Sequence, residues 1–324
     1  MAESYSLSLV IPTYNRGPLI EETIVHALAQ EKPFGKIVVV DDGSTDDTVV
    51  RLARFGDRIT LIKAERGGVQ QARNIGAAAC SSPFIAFCDS DDLLKPTFST
   101  VMHRGISEHP EVDAWYCNFF LFSSDTEDRE KLASGPGGFL DGATHGDGYC
   151  VDIPELYERV LKFQPFFPTG SVIRKTFYQS LGGYDRRFNG VGAEDFEFLL
   201  RVICNGKLGY VTLPLAAVRK HDQNDSKDTL RSLNGEAEIL EYSLSHHPGA
   251  VQYRADIRAS IDQRRRQAFD IAYARGDFIS AIDTASHFSV LPTDSKFRIK
   301  KAISSFPGIV RDMAWRLSQS VGHH

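Results

Sequence analysis

The sequence is poor in cysteine, and the few it has are scattered. Cys80, Cys88, Cys117, Cys150 and Cys204 form no C-x-x-C pair, and an odd count in a chain of 324 residues argues against a disulfide framework or a zinc cluster. No stretch approaches the roughly 20 apolar residues that cross a bilayer, and Met1–Ser8 lacks a cationic, apolar leader. The expected location is therefore the cytoplasm. A basic excess is missing too. The formal net charge is −5, which speaks against a general nucleic-acid partner, because phosphates call for Lys and Arg. Three signatures of other enzyme classes are also missing. No G-x-G-x-x-G follows the first apolar run, which excludes the dinucleotide-dehydrogenase fingerprint. Pro12-Thr13-Tyr14-Asn15-Arg16 stands where a nucleotidyltransferase would carry a Gly-rich loop, and Asp41-Asp42-Gly43 has the wrong spacing for a phosphatase's Asp-x-Asp-Gly-Thr.

What is present is a short apolar run, a helical pattern, and the same again. Ser6–Ile11 reads as a strand that stops at Pro12, and Ile37–Val40 as a strand buried on both faces. Ile59–Lys63 and Phe84–Cys88 follow. Helices are expected near Pro18–Gln30, Asp46–Phe55 (with Asp46 as its cap) and Val69–Ala79. This alternation predicts an α/β fold: a Rossmann-like, mostly parallel sheet covered by helices. Ligands of such sheets bind beyond the carboxyl ends of the strands. After the apolar stretch Ala114–Phe122, the Gly-rich segment Ser123–Tyr149 reads as a flexible loop or lid. A helix near Pro154–Lys162, strands at Ser171–Arg174 and Lys207–Leu213, a Gly182-Gly183 turn and a helix near Ala193–Asn205 complete this part.

Carboxylates gather where strands end. Asp41-Asp42-Gly43-Ser44 follows the Val-Val-Val strand; it suits hydrogen bonds to a base or ribose, or a plain Asx turn. Asp89-Ser90-Asp91-Asp92 follows the next apolar strand. Three carboxylates in four residues repel one another unless a hard divalent cation lies among them, and a continuing strand would put Asp89 and Asp91 on one side. Glu194-Asp195, behind Gly190-Val191-Gly192-Ala193, opens a helix; these acids either complement its dipole or serve as a proton acceptor. Arg219-Lys220-His221 offers cations and one potential metal ligand, and Arg73-Asn74 could pair with phosphate or with the acidic cluster.

Taken in order, these pieces resemble the inverting glycosyltransferases of family 2, with their GT-A fold, over roughly residues 6–226. The resemblance rests on Leu9–Arg16, Val38–Asp46, Arg73-Asn74-x-Gly76, Phe87–Asp92, Gly170-Ser171, Leu181–Asp185, and Gly192–Asp195 with Arg201. It implies a GT-A domain over 1–226, its nucleotide-binding half about 1–112 and its acceptor-side half about 113–226, followed by a mainly helical C-terminal region, 227–324. It implies that Pro12, Tyr14, Arg16, Asp42, Arg73, Asp89 and Ser90 border a nucleotide-sugar donor, with a UDP-sugar expected. It further implies that Asp91 and His221 hold Mn²⁺ or Mg²⁺, that Asp195 is the catalytic base, and that Gly170, Ser171 and Glu194 lie toward the acceptor or donor sugar. A glycan or glycolipid is the implied acceptor, and polysaccharide or glycoconjugate synthesis the implied setting. The Q-x-x-R-W motif of processive members is missing, so one sugar per encounter is expected. A non-catalytic glycan-binding module on the same fold is the alternative, and the intact Asp91 and Asp195 weigh against it.

The C-terminal region carries basic clusters at Arg264-Arg265-Arg266 and at Lys296-Phe297-Arg298-Ile299-Lys300-Lys301, the latter near Ile303 and Phe306. A basic amphipathic helix suits peripheral contact with the cytoplasmic face of an anionic membrane; a solvated basic face on a packing domain is the plainer reading. A homodimer is the candidate assembly.

Overall fold

The computed structural model describes residues 6–123, 126–220 and 228–321. These cluster into two compact units, the described residues up to 190 with 194–220 forming one, and 191–193 with 228–321 the other.

In the first unit, β1 (Leu7–Thr13), α1 (Gly17–Leu28), β2 (Lys36–Asp41), α2 (Thr48–Ala53), β3 (Thr60–Lys63), α3 (Val69–Ala79) and β4 (Phe84–Phe87) alternate as the apolar pattern predicts. Then come β5 (Leu93–Leu94), α4 (Phe98–Glu108), β6 (Ala114–Ser123), β7 (Thr126–Glu130), α5 (Lys131–Ser134), β8 (Thr144–His145), β9 (Tyr149–Val151), α6 (Leu156–Lys162), β10 (Ser171–Arg174), α7 (Lys175–Ser180), α8 (Glu194–Asn205) and β11 (Leu208–Arg219). The sheet runs β3-β2-β1-β4-β10-β6-β11-β9-β8. β3, β2, β1 and β4 are mutually parallel, β10 runs antiparallel between β4 and β6, and β6 and β11 are parallel again.

β1 is buried along its whole length, because one face packs on α1 and the other on α3. α3 lies close because Gly76 carries no side chain: a Cβ there would sit 2.4 Å from Val10 Cγ1. This approach brings the first turns of α3 over the carboxyl ends of β1 and β2.

Four expectations need correction. β1 does not stop at Pro12; it runs to Thr13, with Pro12 opposite Val40 of β2. The imino nitrogen points toward β4, which has already ended at Phe87, so no ladder bond is lost. The segment read as a lid is built structure: β7 pairs with β6, and buried Phe139 packs against Phe163 and Phe166. β11 continues well past Leu213, its bulges around Pro214 absorbing the missing donor. The Asp89–Asp92 segment is a turn rather than a continued strand, closed by the Asp92 amide donating to the Asp89 carbonyl at 3.2 Å.

The second unit is helical: α9 (Thr229–His246), α10 (Arg254–Ala274), α11 (Phe278–Ser286), α12 (Ser295–Ser304) and α13 (Gly308–Val321). Leu230, Phe269, Ala281 and Phe297 form its core, and Tyr273, Phe278 and Ile303 a second cluster that receives Trp315. The triple-Arg cluster is not an open basic face. Arg264 pairs with Glu236 at 2.5 Å, Arg265 with Glu241 at 2.6 Å, and Arg266 with Asp270 and Asp294 at 3.0 and 2.6 Å. Among the described residues no helix is long and apolar enough to cross a membrane.

Candidate active site

The carboxyl ends of β1, β2 and β4 and the first turn of α3 meet at one edge of the sheet. Asp42 follows β2, and its carboxylate accepts from the Gly67 and Gly68 amides at 2.7 and 2.9 Å and from Arg66 at 3.3 Å. Two backbone bonds fix the loop that enters α3, so Asp42 has a structural task at this edge. Arg66 in turn lies over the Tyr14 ring, its Cζ 3.2 Å from the centroid. Tyr14, Asp42 and Arg66 thus form one continuous polar and aromatic wall.

The acidic turn after β4 holds three carboxylates in three different ways. Asp89 pairs with Arg73 of α3 at 2.7 Å. Asp91 lies 3.3 Å from the Arg16 Nε, which brings the end of β1 to the turn. Asp92 is buried; it accepts from the Thr169 hydroxyl at 2.5 Å and the Arg219 amide at 2.9 Å. Burial pushes the Asp92 carboxyl well above the usual carboxylate range, and the neighbouring Asp91 and Asp89 push the same way. Mutual repulsion is thus relieved by two arginines, two neutral donors and, at Asp92, a raised proton affinity. Ser90 is buried within the turn.

Asp195 belongs to the same electrostatic neighbourhood. Burial pushes its carboxyl up to about 7; the Arg73 cation opposes that rise, and the charges of Glu194 and Asp89 add to it. Arg73, buried, therefore acts on both Asp89 and Asp195. It also lies 5.0 Å from the centre of the Tyr184 ring, which stacks on Phe198 of α8 at 4.3 Å. Asn74 fixes that ring's backbone, donating to the Tyr184 carbonyl at 2.8 Å and accepting from the Tyr184 amide at 2.9 Å and the Tyr178 hydroxyl at 2.6 Å. The acidic turn and the start of α8, more than a hundred residues apart in sequence, are brought together through Arg73 and Tyr184.

The remaining predicted residues take supporting positions. Pro12 is the last residue but one of β1, opposite Val40 of β2. Gly170 has φ +92°, and a Cβ there would meet Cys117 Sγ at 2.4 Å, so only glycine fits that turn. Ser171 is fully buried and donates its hydroxyl to the Pro168 carbonyl at 2.7 Å. Glu194 accepts from the Gly190 amide at 2.8 Å, holding the Gly-rich approach to α8. His221 lies outside the described residues.

The family model described as "Glycosyl transferase family 2" matches residues 8–168. The chain belongs to glycosyltransferase family 2. The matched segment holds the wall, the acidic turn and Arg73, while Thr169, Tyr184 and Asp195 lie beyond it. Glycosyltransferase GlyG of Streptococcus pneumoniae is 28% identical over 188 residues, covering 54% of this chain and 58% of that protein. Validoxylamine A glucosyltransferase of Streptomyces hygroscopicus is 29% identical over 225 residues, covering 62% of this chain and 52% of that one. The chain thus spans between about a third and three fifths of the length of such relatives. Among solved structures, residues 1–349 of S. aureus TarS in complex with UDP-GlcNAc superpose with a TM-score of 0.63 at 15% identity, covering 97% of this chain and 92% of that one. The mannosyltransferase PcManGT from Pyrobaculum calidifontis, in complex with GDP-Man and Mn²⁺, gives 0.54 at 16%, covering 99% and 88%. The fold is GT-A.

This family-2 site contains residues that the sequence reading passed over. Thr169 accepts from the Asp89 amide at 2.9 Å while donating to Asp92, and so clamps the acidic turn from the β10 side; its place just before Gly170-Ser171 was the available signal. For Arg66 the available signal was the Gly67-Gly68 pair that follows it. Asp41 Oδ1, the Gln70 amide and Arg73 Nε are buried without a hydrogen-bond partner among the described residues. Buried polar groups of this kind take an ordered water or a polar ligand as partner.

A divalent ion fits the donor set at one position. Among the described residues no three His, Cys, Asp or Glu side chains gather to hold a metal. A Mg²⁺- or Mn²⁺-type ion shared with a diphosphate takes one or two protein carboxylates and draws its other oxygens from phosphate and water. Asp91 supplies such a hard oxygen donor at the strand edge.

Proposed function

We propose that this chain moves a sugar from a nucleoside-diphosphate sugar, a UDP-sugar first among the candidates, to a hydroxyl of a glycan or glycolipid. Transfer proceeds with inversion and one sugar at a time, as part of polysaccharide or glycoconjugate assembly in the cytoplasm. One observation carries this reading: Asp195, with its carboxyl raised to about 7, shares the Arg73 cation with Asp89 of the acidic turn. A base with that proton affinity is half ionised at neutral pH and still basic enough to take a proton from a hydroxyl.

In the proposed mechanism Tyr14, Arg66 and Asp42 receive the nucleoside, and Arg16 and Arg73 orient the charged part of the donor. Asp195 takes the acceptor's hydroxyl proton. The freed oxygen attacks the anomeric carbon from the face opposite the leaving group, the carbon–oxygen bond to the diphosphate breaks, and its electron pair leaves with the nucleoside diphosphate. Mn²⁺ or Mg²⁺, held by Asp91 and His221, would supply charge neutralisation at the diphosphate. A UDP-sugar also fits the UDP-GlcNAc bound to the similarly folded TarS.

A thermal-shift panel of UDP-, GDP- and dTDP-sugars, with and without Mn²⁺, tests the reading. A donor at about 100 times its Kd should stabilise the fold by about 2.7 kcal/mol. If none of these nucleotide sugars raises Tm with the metal present, the assignment is wrong.

A further inference from the structure

We infer that the last two helices of the second unit dock on an anionic lipid bilayer. Charge and apolar exposure coincide there. Between residues 295 and 321 six cations, Lys296, Arg298, Lys300, Lys301, Arg311 and Arg316, stand against the single acid Asp312, in a chain whose net charge is −5. Two of these cations are committed locally, Lys300 to Asp270 and Arg311 to Asp312. Lys296, Arg298 and Arg316 are exposed.

The same helices turn large apolar side chains to solvent. α13 is anchored through Trp315, whose indole donates to the Tyr273 carbonyl at 2.8 Å, and through Ala314 in the Tyr273–Phe278–Ile303 cluster. The other side of α13 leaves Ile309 80%, Met313 63% and Val310 58% exposed, and Ile299 of α12 is 57% exposed. Ile309 and Met313 are one helical turn apart and share a face. Beside α12 a cavity of about 300 Å³ is lined jointly by Leu291, Pro292 and Phe297 and by Arg298 and Lys301. Apolar walls with two cations match a lipid, which offers an acyl chain and a phosphate together.

The charge selects the bilayer over a second copy of this chain. A two-fold interface sets a patch against its own twin, so the cations of one copy would meet those of the other. An anionic bilayer supplies the opposite charge and takes up apolar side chains at its headgroup boundary. The triple-Arg cluster has no part in this, because its ion pairs consume it.

The test is co-sedimentation of the full chain with vesicles of phosphatidylcholine alone and of phosphatidylcholine with an equal share of phosphatidylglycerol. Binding to the phosphatidylglycerol vesicles should exceed binding to the neutral ones at least about tenfold and fall at high salt. The double variant Ile309→Asp with Met313→Asp, and separately Lys296→Glu with Arg298→Glu, should each weaken binding about tenfold or more. Both pairs are exposed, and circular dichroism and Tm should match the wild type. Absence of binding to phosphatidylglycerol vesicles, equal binding to both lipids, or full binding by either folded variant overturns the inference. So does a wild-type dimer in sedimentation equilibrium that Ile309→Asp with Met313→Asp dissolves, since the face would then belong to a second copy.

Discussion

Asp195 shows how one side chain's surroundings set both chemistry and cost. Its carboxyl is raised from 3.8 to about 7, first by burial. The native state therefore holds a proton that the unfolded chain releases between those values, and stability falls as pH rises through that window. Asp195→Asn removes the titration. The variant should melt higher than wild type, by a larger margin at pH 8 than at pH 5, with scanning calorimetry as the readout. In the wild type, turnover at low substrate should rise with pH through an apparent pKa near 7, a limb that the Asn variant lacks. Thr169 is the neutral counterpart. Thr169→Val keeps the shape but strips Asp92 and the Asp89 amide of a partner, and should cost about 1–3 kcal/mol in urea denaturation.

Among elements, α3 is the member on which the site turns. Its closeness to β1 and β2 depends on Gly76, and its first turns carry Arg73 between two carboxylates. Gly76→Val would press on Val10 and Val40, should cost at least about 2 kcal/mol, and should lower turnover by tilting Arg73 away from Asp89. Denaturation and steady-state rates measured together check both halves. The elements were legible in sequence where the apolar pattern was strong: Val38-Val39-Val40, Phe84–Phe87 and the helices between them lie where the pattern puts them. The pattern failed where tertiary pairing overrode local cues. Polar Thr126–Glu130 becomes a strand because β6 offers it an edge. Pro12 sits inside a strand because β4 has ended beside it, and Pro214 because β11 itself bulges there. Within the site, the acidic turn was visible in sequence as a crowd of carboxylates. Its distribution among Arg73, Arg16 and Thr169 was not, since those partners lie 16, 75 and 77 residues away from the acids they meet. Asp42's hold on Gly67 and Gly68 was likewise hidden, because a backbone amide leaves no mark on residue identity.

For the molecule as a whole, the central claim is that the acidic turn and Asp195 are two halves of one transfer site. The most direct measurement pairs donor binding with donor breakdown in wild type and Asp195→Asn. With the nucleotide sugar that gives the largest thermal shift, isothermal titration gives Kd, and nucleoside diphosphate released in the presence of Mn²⁺ gives the rate, water standing in for the acceptor. The account predicts that Asp195→Asn keeps Kd within a few-fold while release falls by about 10²- to 10⁴-fold. An Asp195→Asn protein that releases nucleoside diphosphate at the wild-type rate, with its donor bound as before, would contradict it.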